Sequence, residues 1–240
     1  MEDFEKKGLV DRVFSVAKGL GLDGSVADLA ERLVNDGQPL LMDAYLFGQT
    51  SDNELSEFQA ARRMRLDGIA SRFWVVDGAA KDGYPGYADW RGKLGPMVGY
   101  QNVVPLPIPK RVQESKGLDG RQFGLNVNTL TEAMSLVDMA KGNSVQALYV
   151  VSVPFHFLRA CVTAMSEAIK GGEDVAMFGY VGSALPWGEI VRHSQGTQVG
   201  TREQILRDEM QKLSYPNLLP PARIIRYMEQ RRASGTTRVI

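Results

Sequence analysis

Few residues of this chain are chemically distinctive. It has two histidines, His156 and His193, and one cysteine, Cys161. His156 lies in Ser152-Val153-Pro154-Phe155-His156-Phe157-Leu158-Arg159, directly after the run Ala147–Val151. His156 and Arg159 are three residues apart and share one face of a helix. Both fall in its first turns, where the dipole is positive and an arginine is misplaced unless an anion or a carboxylate is near. Two readings of this spacing stand side by side. In one, the helix start is an anion site, with His156 moving a proton near neutral pH. In the other, Arg159 pairs with a carboxylate from a neighbouring loop and His156 is a hydrogen-bonded, partly buried side chain.

Three other polar clusters carry candidates. Asn128-Thr129-Leu130-Thr131-Glu132 has capping-box spacing, which explains Thr129 and Glu132 as well as ligand binding does. Gly48-Gln49-Thr50 lets a ligand approach the backbone closely, or makes a tight strand-to-helix turn. Asp77-Gly78 suits a hydroxyl, a ribose, a metal or a simple turn. His193, in the polar stretch Arg192-His193-Ser194-Gln195-Gly196, reads as a surface residue, and Cys161 as a small core residue. Tyr84, Tyr87 and Trp90 wall a pocket or fill a core.

The elements that must position these residues follow from hydrophobic patterning. Two amphipathic helices, over Glu2–Lys18 and from Ser25 or Asp28 to Gly37, come first. Met42–Phe47 is a short buried strand, and Ser51-Asp52-Asn53-Glu54 has the spacing to cap the helix that follows, to about Arg65. Phe73–Val76 is the next strand. Asn102–Ile108 holds three prolines if Pro109 is counted with it, which confines it to a sheet edge or an extended loop. Lys110–Gly124 reads as a surface loop. Gln146–Ser152 is apolar on both faces, as a central parallel strand must be, and Pro154 suits the first turn of the next helix. Asp174–Val181 is read as the last strand, with closing helices at Thr201–Leu213 and Pro221–Arg232 and a frayed tail beyond.

Strand and helix alternate about four times. That order predicts a three-layer α/β/α Rossmann-like sandwich with a mostly parallel sheet and extra N- and C-terminal helices. Residues 1–40 form the helical appendage, 41–200 the α/β domain and 201–240 the helices packed on it. No dinucleotide fingerprint, phosphate-cradling loop or Gly-x-Ser-x-Gly elbow is present in the sequence. In such sheets ligands bind at the carboxyl ends of the strands, and all four polar clusters fall there.

Composition narrows the classes further. The 240 residues carry 28 Lys+Arg and 28 Asp+Glu, a balance that argues against nucleic-acid binding. One cysteine excludes a disulfide framework and a cysteine-rich zinc site, and two histidines leave too few for a histidine-dominated metal site. A carboxylate site for a cation such as Mg²⁺, from Asp52, Asp77 and Glu132, stays open. No run reaches the roughly 18–20 apolar residues of a membrane span. No targeting segment is visible, so the expected location is the cytoplasm.

Across Leu41–Val181 the chain resembles the YdcF/SanA/ElyC family. The resemblance rests on Leu46-Phe47-Gly48, Ala60-Ala61-Arg62, Gly68, Val75-Val76-Asp77-Gly78, Asn128-Thr129 with Glu132-Ala133, and Val150 through Ala160 with His156 and Arg159-Ala160. Departures are Gln49 after Gly48 and Asp77-Gly78-Ala79, where that family tends to have glycine-rich ends, and Glu132, where it often has Asn. The resemblance implies a Rossmann-like fold and a pocket at the strand ends. It also implies a small-molecule ligand, with S-adenosylmethionine a candidate because a cytosolic member is associated with it. The expected function is recognition of a nucleotide-like or phosphorylated anionic ligand. His156 would be the proton-transfer group, and Gly48, Gln49, Asp77, Gly78, Asn128, Thr129, Glu132, Ser152 and Arg159 would surround the ligand. The alternatives are a non-catalytic structural or regulatory module and a metal-assisted phosphoester hydrolase.

Overall fold

The computed structural model describes residues 2–22, 24–35, 41–78, 83–116, 122–172, 175–193 and 197–233. Five strands make one parallel sheet in the order β3-β2-β1-β4-β5. They are β1 (Met42–Leu46), β2 (Ala70–Asp77), β3 (Val103–Pro107), β4 (Ala147–Ser152) and β5 (Ala176–Val181). β1 and β4 are buried along their whole length, as strands covered on both faces must be. β3, with two prolines inside it, takes an edge, where a missing N–H costs no ladder bond.

Helices cover both faces. The sheet face carrying Ala44, Leu46, Val75, Tyr149 and Val151 packs on α3 (Glu54–Leu66) and α4 (Tyr87–Val98) through Phe58, Met64, Trp90 and Leu94. The face carrying Tyr45, Leu148 and Val150 packs on α6 (Thr129–Gly142) and α7 (Pro154–Gly171). Four more helices extend that second layer: α1 (Glu2–Gly19), α2 (Gly24–Val34), α8 (Arg202–Gln211) and α9 (Pro221–Ala233). The fold is thus the three-layer α/β/α sandwich. Chain direction out from β1 goes through β2 to β3 on one side, then returns to β4 and β5 on the other. The crevice between the ends of β1 and β4 is therefore the topological switch point. Among the described residues no helix is long and apolar enough to cross a membrane.

Several local expectations need correction. Ser51 does not cap α3. That helix starts at Glu54 after Asn53, without a side-chain cap, and the Glu54 carboxylate pairs instead with Lys93 at 2.5 Å. The α6 cap is Asn128, whose Oδ1 accepts from Leu130 and Thr131 N–H, and its reciprocal partner is Thr131. Glu132 is therefore released from capping. The stretch read as a surface loop from Lys110 contains a short helix, α5 (Lys110–Glu114), anchored by buried Val112. β5 is not the last strand, because β6 (Ile190–His193) and β7 (Gln198–Thr201) follow as an antiparallel pair. Gly37, in the end signal of the second helix, and the tail beyond 233 lie outside the described residues.

Candidate functional site

A cavity of about 510 Å³ opens at the carboxyl ends of β1 and β4. Its lining includes Gly48, Gln49, Asn128, Thr129, Glu132, His156 and Arg159, seven of the residues singled out from sequence. The others sit elsewhere. Asp77 is exposed at the end of β2. Gly78 is held against the segment before α6, where an added Cβ would lie 2.2 Å from Val127 Cγ2. Ser152 is buried at the end of β4, outside the cavity lining.

Gly48 is closely hemmed in at the wall. Its N–H donates to Glu132 Oε1 at 2.6 Å, and a Cβ there would meet Glu132, Tyr84 and Val127 at 3.3 Å. Glu132 also accepts from the Tyr45 hydroxyl, again on Oε1, at 2.7 Å. Burial pushes the Glu132 carboxyl up to about 8, against the pull of the Gly48 and Tyr45 donors. It is therefore protonated near neutral pH. With both donors on Oε1, the proton belongs on Oε2.

Another part of the lining is ionic. α7 starts at Pro154 after Val153, and its first turns place His156 and Arg159 on one face. Both converge on Glu209 of α8. His156 Nδ1 makes a short hydrogen bond with Glu209 Oε2, and Arg159 Nη1 donates to both carboxylate oxygens at 2.9 and 3.0 Å. Lys212 Nζ donates to Oε1 at 2.5 Å. Burial alone would raise the Glu209 carboxyl, but its interaction with His156 foremost, then with His193 and Arg159, outweighs burial and holds it well below the usual carboxylate range. Burial lowers the His156 imidazole to about 4 despite Glu209 beside it. The pair at neutral pH is thus an ionised carboxylate and a neutral imidazole, with Nδ1–H donating and Nε2 carrying the lone pair. That nitrogen lies 3.4 Å from Thr129 Oγ1.

His193 is the largest correction. It is buried rather than on the surface, its ring 5.1 Å from that of His156 and 5.2 Å from that of Phe155. The β6–β7 pair that carries it is tied to the loop after β1. Thr50 Oγ1 and Asn53 Nδ2 both donate to the Arg192 carbonyl, at 2.8 and 2.9 Å. Arg202 Nε donates to Asn53 Oδ1 at 3.0 Å, and its Nη2 to the Asp52 carbonyl at 2.9 Å. Glu209 and Lys212 were not among the sequence candidates. The available signal was Glu209's position on the buried stripe of α8, with Ile205, Leu206 and Met210.

The acidic trio Asp52, Asp77 and Glu132 does not form a cation site. Asp52 is engaged by the backbone N–H and guanidinium of Arg192, Asp77 is exposed at the end of β2, and Glu132 is buried in the cavity wall. The one metal-compatible group among the described residues is His156, His193 and Glu209, with ligand atoms within 4.8 Å of one another. Arg159 and Lys212 already bind that carboxylate, so a divalent ion would have to displace two cations.

On the side of β1 away from these residues, Glu57 of α3 is buried against Gln49 and Ser152. Both Glu57 oxygens, both Gln49 amide atoms and Ser152 Oγ have no aligned hydrogen-bond partner among the described residues. Burial pushes the Glu57 carboxyl well above the usual carboxylate range, and Glu132 adds to this.

No protein-family model, curated protein or solved structure matches this chain.

Proposed function

We propose that this chain is an enzyme of YdcF/SanA/ElyC type that binds a small anionic molecule, nucleotide-like or phosphorylated, in the cavity at the switch point. One observation carries the reading: one cavity is lined by an oriented neutral imidazole and by two cationic side chains. Arg159 and Lys212 both line the cavity and both contact Glu209. The N-termini of α6 and α7 add their positive dipole ends. His156, oriented by Glu209, is a base toward the cavity, and protonated Glu132 is a donor in the same lining. S-adenosylmethionine is a candidate through its carboxylate and adenosyl group.

Titration calorimetry against S-adenosylmethionine, adenine nucleotides and sugar phosphates tests this. Binding by the wild type, weakened about tenfold or more in Lys212→Met, is the expected result. No binding to any of these compounds overturns it.

The same residues support a non-catalytic reading through one feature, since Glu209 contacts Arg159, Lys212 and His156 together. In that case the network only docks α8 on α7, and the calorimetric panel gives no heat.

A further inference from the structure

The hydroxyl of Thr129 has a role that capping does not explain. Thr131 spends its hydroxyl on the backbone of Asn126 and Asn128. Thr129, at the first position of α6, makes no such bond. Among the described residues its hydroxyl has one partner, His156 Nε2 at 3.4 Å. Thr129 lines the cavity and is almost fully buried. Three elements thus contribute one line of groups. α8 gives the carboxylate of Glu209, α7 the imidazole of His156, and α6 the hydroxyl of Thr129. Orienter, base and hydroxyl in that order are the arrangement that activates an oxygen nucleophile, whatever the fold or chain order. At 3.4 Å the hydroxyl-to-base contact is at the long end of hydrogen-bond range, and such contacts can tighten around a substrate.

A second observation comes from the same helix. Glu132 is one turn beyond Thr129, on the same face of α6, and lines the same cavity. Its Oε1 is occupied by the Tyr45 and Gly48 donors, which leaves Oε2 to present a proton. A neutral carboxyl beside a nucleophile is a donor for negative charge that develops on a substrate oxygen.

We propose that Thr129 is the nucleophile of an acyl-transfer reaction on an ester or thioester that carries a negative charge, the charge being held by Arg159 and Lys212. This rests on the enzymatic reading above and adds the attacking atom and the bond cleaved. Thr129 Oγ1 bonds to the carbonyl carbon as its proton passes to His156 Nε2. The carbonyl electron pair moves to oxygen, facing Glu132. The bond to the leaving oxygen or sulfur then breaks, and the leaving atom takes the proton from His156. Water attacks the threonyl ester, giving a proton to His156 Nε2. Collapse releases the carboxylic acid, and Thr129 Oγ1 recovers its proton. Water is the only co-reactant, and no group changes oxidation state.

The test uses the full chain with two probes, p-nitrophenyl acetate and the anionic p-nitrophenyl hydrogen succinate. The expected result is a burst of nitrophenolate matching the enzyme concentration, with the succinyl ester preferred. Tandem mass spectrometry of the quenched protein places the acyl group on Thr129. Thr129→Val keeps the side-chain shape and lowers the rate about 10²–10⁴-fold, while Thr129→Ser, still bearing a hydroxyl, restores the burst. Thermal unfolding of both variants checks that the fold is retained. Acyl label on lysines alone, or full turnover in Thr129→Val with loss in His156→Gln, overturns the nucleophile and leaves His156 acting on water. Absence of turnover in a wild type that still binds anionic ligands overturns acyl transfer while the binding reading stands. Absence of both overturns the two together.

Discussion

Replacing Glu132 by Gln is expected to stabilise the protein, and to do so only above a defined pH. The Glu132 carboxyl has a folded pKa of about 8, from an ordinary value of 4.5, because burial penalises the anion. A carboxyl raised in the fold takes up a proton on folding. Its stabilising contribution is complete below pH 4.5 and is lost as pH rises toward 8. At about 1.4 kcal/mol per pH unit, that loss approaches about 5 kcal/mol across the window. Glu132 lines the cavity, where water can solvate part of the charge, so about 2–3 kcal/mol at pH 7 is the working figure. Glutamine mimics the protonated form. Its carbonyl oxygen can accept from Tyr45 and Gly48 as Oε1 does now. Urea unfolding of wild type and Glu132→Gln at pH 5, 7 and 8 reads the difference. The two proteins should be nearly equal at pH 5 and the variant should gain as pH rises. A variant that is less stable at every pH, or a gap that does not change with pH, would mean that Glu132 is ionised in the fold, and the assignment of a donor on that wall would fail.

Three further expectations rest on separate parts of the molecule. Glu209→Gln should cost about 3 kcal/mol in urea unfolding, because it leaves the charges of Arg159 and Lys212 without their shared carboxylate. Asn128→Ala should cost about 1 kcal/mol by the same measurement, since two backbone N–H groups of α6 lose their acceptor. Gly78→Ala should lower the melting temperature, with a cost of about 1–3 kcal/mol, because its new methyl group would overlap Val127 Cγ2.

The parts of the fold that follow from one-dimensional periodicity were legible in the sequence. β4 reads as a central strand because all six of its positions are buried, and its apolar run states that directly. β3 reads as an edge because its prolines cannot donate to a ladder. His156 and Arg159 were legible because a helix start after a strong strand is a local pattern. Glu209 and His193 were not, because their meaning depends on a contact across more than thirty residues of chain. His193 sits in a four-residue strand with exposed Ile190 and Arg192 alternating with buried neighbours, too short a pattern to betray a buried histidine. Glu132 was singled out, but its role stayed open between cap and site for a different reason. Two hydroxyl-bearing residues and an acid in sequence allow two capping registers, and only Asn128 taking the cap shows which acid is released.

The charge balance of the chain takes on a specific meaning in this site. Arg159 lies near the positive end of α7, where the helix dipole disfavours it, so its position requires a carboxylate from elsewhere. α8 supplies it, on a face that also buries Ile205, Leu206 and Met210. The apolar contacts therefore hold Glu209 in place, and Glu209 in turn fixes the imidazole of His156 with its lone pair toward Thr129. Lys212, one turn beyond Glu209, brings a second cation to the same carboxylate and to the cavity wall. The segment after β7 is thus more than a cover for the sheet. Without it the first turns of α7 keep a histidine and an arginine, but lose the carboxylate that orients the one and pairs with the other.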